Sequence, residues 1–384
     1  MKCLNSFFLV ILGIYAQAQT FNLNTTFYQK DGKKISLASG VASEKYFDGN
    51  FTIINGKVKD QKILFKVKSA KDKMVYPFNF LITGKDRFYF SEDFYLDSRT
   101  QSLTMGSAKD STNYDVKYAN ENSFVAKEVE KYKMFYKDLR TRNDSLRAEQ
   151  KLIFEKYESY DKIPADFIRR SEKISNEIEE QEKLRLSEFI KKNPKSFIGF
   201  WQLVKDFQRK GYKPIFEEMY NHLSSSLKET YSGKALAKGI YSAKILAVGQ
   251  VFPVPKVTSI DQKPVTFKMP EAKIILVDFW FSHCKPCREE IPKLAELYNK
   301  YKSKGFEIVS IATDITKALP HLQKTVKEDF NMTWANYLDE NRKQSDEWVV
   351  TYFPSKFLLD SNGVIAQKDI SVEDLEKLLA EKLK

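Results

Sequence analysis

Cys284-Lys285-Pro286-Cys287 sets two thiols three residues apart, just beyond the apolar run Ile274-Ile275-Leu276-Val277-Asp278-Phe279-Trp280. The run reads as a strand and the polar stretch after it as a helix, so Cys284 falls at a helix N-terminus. Unpaired N–H groups and the positive end of the helix dipole lower a thiol pKa there, which makes Cys284 a nucleophile near neutral pH. Cys287, one turn in, is placed to close a ring with it or to resolve a mixed disulfide.

The 384-residue chain has three cysteines, and Cys3 lies in a segment that reads as a signal peptide over residues 1–18. Met1-Lys2, the apolar run Phe7 to Tyr15 and the small-x-small site Ala16-Gln17-Ala18 make up that pattern, so the mature chain starts at Gln19 with one cysteine pair. A bridge between residues three apart closes too short a loop to serve as a staple. A zinc site needs four ligands, and only His222, His283 and His321 accompany the pair, so no metal or other cofactor is expected. Export to the periplasm or the exterior would keep the pair oxidised unless a dedicated electron donor acted on it.

The net charge of +12 would suit an anionic partner, but lysines and glutamates are interspersed and no basic block of the nucleic-acid type occurs. Beyond the leader no apolar run approaches the ~20 residues of a membrane span, and Cys3 precedes the apolar run instead of following it as a lipid anchor would. A soluble envelope protein is expected.

Three textures position the pair. Residues 19–118 alternate, as in Phe51/Ile53, Ile63/Phe65/Val67, Tyr76/Phe78/Phe80 and Phe88/Phe90, with turn signals at Asp48-Gly49-Asn50, Asn55-Gly56 and Gly84-Lys85-Asp86. That pattern predicts an antiparallel β domain with one wet face. Residues 119–248 read as a helical connector. One long helix runs from Phe124 to about Tyr160, with Val125, Val129, Tyr132, Phe135 and Leu139 on a stripe, and a second over Ala165 to Lys192 carries Phe167, Ile174 and Ile178. So narrow a stripe must rest on the flanking domains or on a second copy of the chain, which would make a homodimer. Shorter helices follow at Phe197 to Val204, Ile215 to Leu227 and Gly233 to Ala247.

Residues 249–384 alternate strand and helix. Strands are expected at Ile274 to Phe279, Glu307 to Ala312, Lys356 to Leu359 and Val364 to Gln367. Helices are expected at Arg288 to Ser303, around Leu319 to Phe330 and at Val372 to Leu383. An α/β domain with a mixed sheet follows, its pair at the carboxyl end of a central strand, where such sheets place their sites.

Val277-Asp278-Phe279-Trp280, the cysteine pair, Glu290-Ile291-Pro292 and Tyr352-Phe353-Pro354-Ser355-Lys356-Phe357-Leu358-Leu359-Asp360 together resemble a thioredoxin-fold module. The likeness is to the exported TlpA/ResA-like thiol-disulfide oxidoreductases and covers about residues 249 to 384. More loosely, the β-rich leader with its helical connector is similar to the regions that precede this module in many Gram-negative envelope proteins.

The resemblance implies roles. Cys284, the more exposed thiol, would attack a target disulfide and Cys287 would resolve it, with Asp278 beneath them helping to deprotonate the resolving thiol. Pro354 would be the cis proline facing the site, and Phe353 would offer its backbone to an extended substrate strand. Trp280, His283, Lys285 and Pro286 would meet substrate around the pair. Disulfide-bonded envelope proteins would be the partners, and a membrane electron donor would recharge the dithiol.

His283 stands where a Trp commonly precedes the first cysteine, and Lys285 where a Gly often follows it. Positive charge from Lys285, and from His283 when protonated, would favour the Cys284 thiolate. Alternatives stay open for single residues: Pro354 as a turn proline, Asp278 as an acid reaching solvent at a strand end, His283 as a plain surface residue. Glu289 and Glu290 read as meeting the helix dipole, and Trp348 as packing.

Pro286 in place of a histidine points to a reductant by the same resemblance, against an oxidase or isomerase using the same residues in reverse. A peroxiredoxin is disfavoured because Pro-x-x-x-Thr-x-x-Cys is absent ahead of Cys284. An adaptor protein, with the β domain and helices doing the work, is the reading from a different class.

Overall fold

The computed structural model describes residues 20–27, 32–40, 46, 53–68, 74–83, 88–105, 115–156 and 163–384. The expected signal peptide, Phe51, Asp48-Gly49-Asn50 and Gly84-Lys85-Asp86 lie outside these residues. The chain divides into two compact units, one of residues 1–205 and 219–234, the other of 206–218 and 235–384. The segment 119–248, read from sequence as a helical connector, is shared between them.

In the first unit, strands β1 (Thr20–Phe27), β2 (Lys34–Ser39), β3 (Ile53–Lys57), β4 (Lys62–Lys68), β5 (Tyr76–Thr83), β6 (Phe88–Phe90), β7 (Phe94–Leu96), β8 (Gln101–Met105) and β9 (Val116–Tyr118) form two sheets. One has the order β4-β1-β8-β9; the other has β3-β2-β5-β6, with β7 also on β5. Strict alternation of buried and exposed residues along β1 and β4 gives one core-facing side, as two-residue periodicity requires. From there Phe27 and Phe65 reach Phe80 of the second sheet, with ring centroids 5.0 and 6.0 Å away.

Two expectations are corrected here. The domain is not wholly antiparallel, because β1 runs parallel to β8. Asn55-Gly56 is not a turn but part of β3, where Ile63 packs so closely that a Cβ on Gly56 would come within 2.9 Å of it. The reversal lies at Asp60-Gln61, both at positive φ, between the bridged residues Lys59 and Lys62.

Helices α1 (Phe124–Phe135), α2 (Lys137–Glu155) and α3 (Ala165–Lys192) follow. The single helix expected from Phe124 is thus two, divided at Tyr136. The stripe rotates with the break: Val125, Tyr136 and Leu139 are buried, whereas Val129, Tyr132 and Phe135 are partly so. Ile178 and Phe189 are among the buried apolar residues that fix α3, with Phe189 edge-on to Tyr132 at 5.0 Å. Next come α4 (Phe197–Lys210), α5 (Pro214–His222), α6 (Ser225–Lys228) and α7 (Tyr231–Ile245). Within the first unit, buried Trp201 of α4 donates its indole N–H to the Val75 carbonyl at 2.7 Å.

The second unit holds β10 (Thr258–Ser259), β11 (Ile274–Trp280), α8 (Lys285–Tyr301), β12 (Phe306–Ala312), α9 (Leu319–Lys324), β13 (Ala335–Leu338), α10 (Lys343–Glu347), β14 (Ser355–Asp360), β15 (Ile365–Lys368) and α11 (Val372–Lys382). The sheet order is β10-β13-β12-β11-β14-β15. β11 is parallel to β12 and antiparallel to β14, which makes the sheet mixed and β11 central. A strand covered on both faces reads as a continuous apolar run, which is why its sequence shows no alternation. Leu276 and Trp280 enter the cluster that contains Ile291, Leu294 and Leu297 of α8, whereas Ile275, Val277 and Phe279 join Trp348 and Phe357 on the other face.

β10 and β13 were not anticipated. They are two and four residues long, and β13 is only partly buried, too short for a period to register. No helix among the described residues is long and apolar enough to cross a membrane.

Candidate active site

Trp280 ends β11, three residues form a turn, and α8 begins at Lys285 with Cys284 as its N-cap. Pro286 sits in the first helical turn, where a missing N–H costs nothing because the donor would have no intrahelical acceptor. Cys284 and Cys287 are joined in a disulfide, with Cα atoms 5.3 Å apart. The Cys284 Sγ accepts the backbone N–H of Cys287 at 3.2 Å, so a helix donor already points at the atom that carries charge once the bond is reduced. Both sulfurs lie in residues that are nearly buried, Cys284 at 3% exposure and Cys287 at 2%, so the difference in exposure between the two is slight in the oxidised pair.

Asp278 lies on the same face of β11 as Leu276 and Trp280, the face turned to α8. It is 4% exposed, so it does not reach solvent at the strand end, and its Oδ1 has no hydrogen-bond partner. Burial pushes its carboxyl from the ordinary carboxylate range up to about 7; Lys356 pulls it down and Glu290 pushes it up. Lys356 stands across from Asp278 in the β11–β14 register and is ion-paired with Glu290 on α8. Glu290 therefore does not serve the helix dipole as expected. It reaches the sheet.

Phe353-Pro354 is a cis peptide. Among the described turns and loops, no backbone hydrogen bond engages the N–H or C=O of Phe353, which leaves both open to an added strand. The Phe353 ring stands edge-on to Phe281 at 5.6 Å, and the Cys284 N–H donates to the Phe281 carbonyl at 2.9 Å.

The other expected contacts divide. His283 and Pro286 are exposed beside the disulfide. Trp280 is not a substrate contact, because it is 1% exposed and belongs to the core. Lys285 is exposed and faces Glu289 at 3.8 Å, so solvent and that carboxylate weaken its effect on the thiol.

Several residues at the site carried no legible signal. Ser282 is buried, and its N–H donates to both carboxylate oxygens of Asp314 at 3.2 and 3.0 Å, with its hydroxyl on Oδ1 at 2.5 Å. Burial raises the Asp314 pKa, while the Ser282 hydrogen bonds and the neighbouring His283 and His321 oppose the rise. The His283 and His321 ring centroids lie 4.2 Å apart, with the ring planes tilted by 36°. Arg288 donates to the Ser282 carbonyl at 3.3 Å and to Thr325 Oγ1 at 2.9 Å, which fixes the turn ahead of Cys284.

Residues 248–368 match the AhpC/TSA family. The chain is 30% identical over 147 residues to the thiol-disulfide oxidoreductase ResA of a Bacillus cereus strain, covering 38% of this chain and 83% of that one. It is 32% identical over 110 residues to the ResA of Geobacillus kaustophilus, covering 28% and 62%. Among solved structures, the thioredoxin domain of a thiol-disulfide oxidoreductase from Bacteroides vulgatus is 30% identical, covering 36% of this chain and 99% of that one, with a TM-score of 0.33. The dithiol at the mouth of α8 lies inside the stretch that carries the sequence likeness, and the chain belongs to the ResA-like thiol-disulfide oxidoreductases, with a thioredoxin-like domain at its C-terminal end.

Proposed function

We propose that the protein is an exported reductase of protein disulfides, with Cys284 as nucleophile, Cys287 as resolving thiol and Asp278 as the base that serves it. The carrying observation is a buried carboxyl with a pKa of about 7 on the α8 face of the central strand, the strand that leads into the helix-capping sulfur. A base is most effective when its pKa lies near the working pH.

The Cys284 thiolate attacks a substrate disulfide, forming a mixed disulfide and releasing one substrate thiolate, which takes up a proton. Asp278 then accepts the Cys287 proton, and the Cys287 thiolate attacks the Cys284 Sγ. That step closes the ring and expels the second substrate sulfur as a thiolate, which takes up a proton as Asp278 gives up its own. Two electrons pass from the dithiol to the substrate, and the product is the oxidised pair that the structure holds. A membrane-borne thiol or electron donor must restore the dithiol.

The lysine-led apolar run and Ala16-Gln17-Ala18 support export, which makes disulfide-bonded envelope proteins the substrates. Every group named in the exchange lies in one chain, within residues 278–287, so the chemistry does not call on a second copy.

A reduction potential near the ~−270 mV of thioredoxin supports this direction, whereas one near ~−120 mV assigns the same residues to oxidation. Cys287→Ala should accumulate a mixed disulfide with substrate at Cys284. Absence of any trapped species when reduced variant meets disulfide-bonded protein would remove the exchange reading.

A further inference from the structure

Ser282 and His283 stand directly ahead of Cys284, and their side chains are linked to Asp314 by hydrogen bonds. Asp314, on the loop after β12, accepts the Ser282 N–H on both carboxylate oxygens and the Ser282 hydroxyl on Oδ1 at 2.5 Å. A hydroxyl has one proton to donate, and Asp314 takes it. Towards His283 Nδ1, 3.2 Å away, the Ser282 oxygen is therefore the acceptor. The neutral imidazole is thereby held with its proton on Nδ1, which leaves the Nε2 lone pair free.

Ser282 and Asp314 are 0% and 3% exposed, so solvent does not compete for the hydroxyl, whereas the imidazole itself is exposed beside the disulfide. His321 of α9 packs against the same ring and restricts its plane. His283 also borders a cavity of about 430 Å3 with Lys317 and Arg342 in its wall. The other charged groups about it are Lys285 at the start of α8 and the acids Glu289, Glu340 and Asp346, which meet Lys285, Thr316 and Arg342. Among these groups, Asp314 is the acid tied to the imidazole through a hydrogen-bonded side chain.

The first step of the exchange moves two protons. Cys284 loses one on ionising, and the sulfur expelled from the substrate gains one. Asp278 is 4% exposed and lies under α8, where it serves the Cys287 proton and does not reach an incoming substrate. An exposed histidine with a fixed tautomer, next in sequence to the attacking cysteine, suits both movements, because histidine changes charge near neutral pH.

We propose that His283 is a catalytic residue of the exchange, the acid that protonates the leaving substrate sulfur. Nε2 takes up the proton that Cys284 releases. The Cys284 thiolate then forms its bond to one substrate sulfur as the substrate S–S bond breaks, and the imidazolium returns the proton to the departing sulfur. Protons and charge balance within the step. Ser282 and Asp314 are positioning residues that act through the ring. The assignment rests on the exchange reading above and adds the proton donor of its first step.

The test isolates that step in reduced, full-length Cys287→Ala protein at neutral pH, with two uncharged disulfides. Hydroxyethyl disulfide expels a basic thiolate that needs a proton; dithiodipyridine expels a sulfur stabilised as a thione, which needs none. The ratio of the two rates cancels any change in the thiolate fraction of Cys284. His283→Gln, at an exposed position, should lower the ratio of the hydroxyethyl disulfide rate to the dithiodipyridine rate at least about tenfold. Ser282→Ala should lower it by a smaller factor. Nitrogen NMR of His283 should show the Nδ1–H tautomer with Ser282 in place and lose it in Ser282→Ala. An unchanged ratio in His283→Gln, or an Nε2–H tautomer with Ser282 in place, overturns the acid role and leaves the exchange reading standing. Absence of reaction with either disulfide removes that reading, and the acid role with it.

Discussion

Lys356 on β14 faces Asp278 on β11 across an antiparallel pair, and its side chain, 5% exposed, is ion-paired with Glu290 of α8. One cation thus stands between two acids, one on the strand and one on the helix that flank the disulfide, and the Glu290 charge acts on Asp278. Removing Lys356 takes away the group that lowers the Asp278 pKa, and removing Glu290 takes away one that raises it. Lys356→Gln should therefore shift the Asp278 titration above about 7, and Glu290→Gln should shift it below. Carboxyl-carbon NMR of Asp278 reads both; shifts in the same direction would dissolve the coupling.

Asp278 also links pH to stability. Its native pKa of about 7 exceeds that of an unfolded aspartate, ~3.9, so between these values the folded chain holds a proton that the unfolded chain has released. Its contribution is fully present below about pH 4 and is lost as pH rises through 7. Asp278→Asn should unfold like wild type near pH 4 and be more stable at pH 8, on the order of 2–4 kcal/mol. Urea titrations at the two pH values check this, and equal differences at both would contradict it.

The same substitution should slow resolution of the mixed disulfide about 100-fold, the low end of general-base effects. The pH–rate profile of that step should lose its limb near 7. Stopped-flow measurement of substrate thiol release separates this from a loss of initial attack.

Ser282 spends its N–H and hydroxyl on Asp314. Ser282→Ala leaves part of a buried carboxylate unsatisfied, which should cost about 1–3 kcal/mol and raise the Asp314 pKa further. Chemical denaturation at neutral pH measures the loss; a change within a few tenths of a kcal/mol would mean that water replaces the hydroxyl.

What could be read from the chain depended on the range of the interaction involved. The Cys284/Cys287 pair, β11 and α8 were legible because an apolar run and a polar helix adjoin in sequence, and α8 differed at its start only in beginning three residues earlier, at Lys285. Asp278 stood out as one acid in a buried strand. Its partner Lys356 interrupts another apolar strand in the same way, so the two opposite charges offered a signal for pairing that went unused.

Arg342, Lys317 and Asp314 gave no such sign. They line one cavity through the loops after β12 and β13, whose geometry depends on positive φ at Asn341 and Arg342 and on contacts about 25 residues apart in sequence. In the first unit, the parallel pairing of β1 with β8 joins residues far apart in the chain, which local alternation cannot encode.

The account depends most on the ionisation of Cys284. The direct measurement is the rate of iodoacetamide alkylation against pH in reduced, folded Cys287→Ala protein, with unfolded protein as reference. Half of the rise should fall at or below ~pH 7.5, set by the helix mouth that caps this sulfur. A half-rise at ~8.5, the value of a free cysteine, would contradict it.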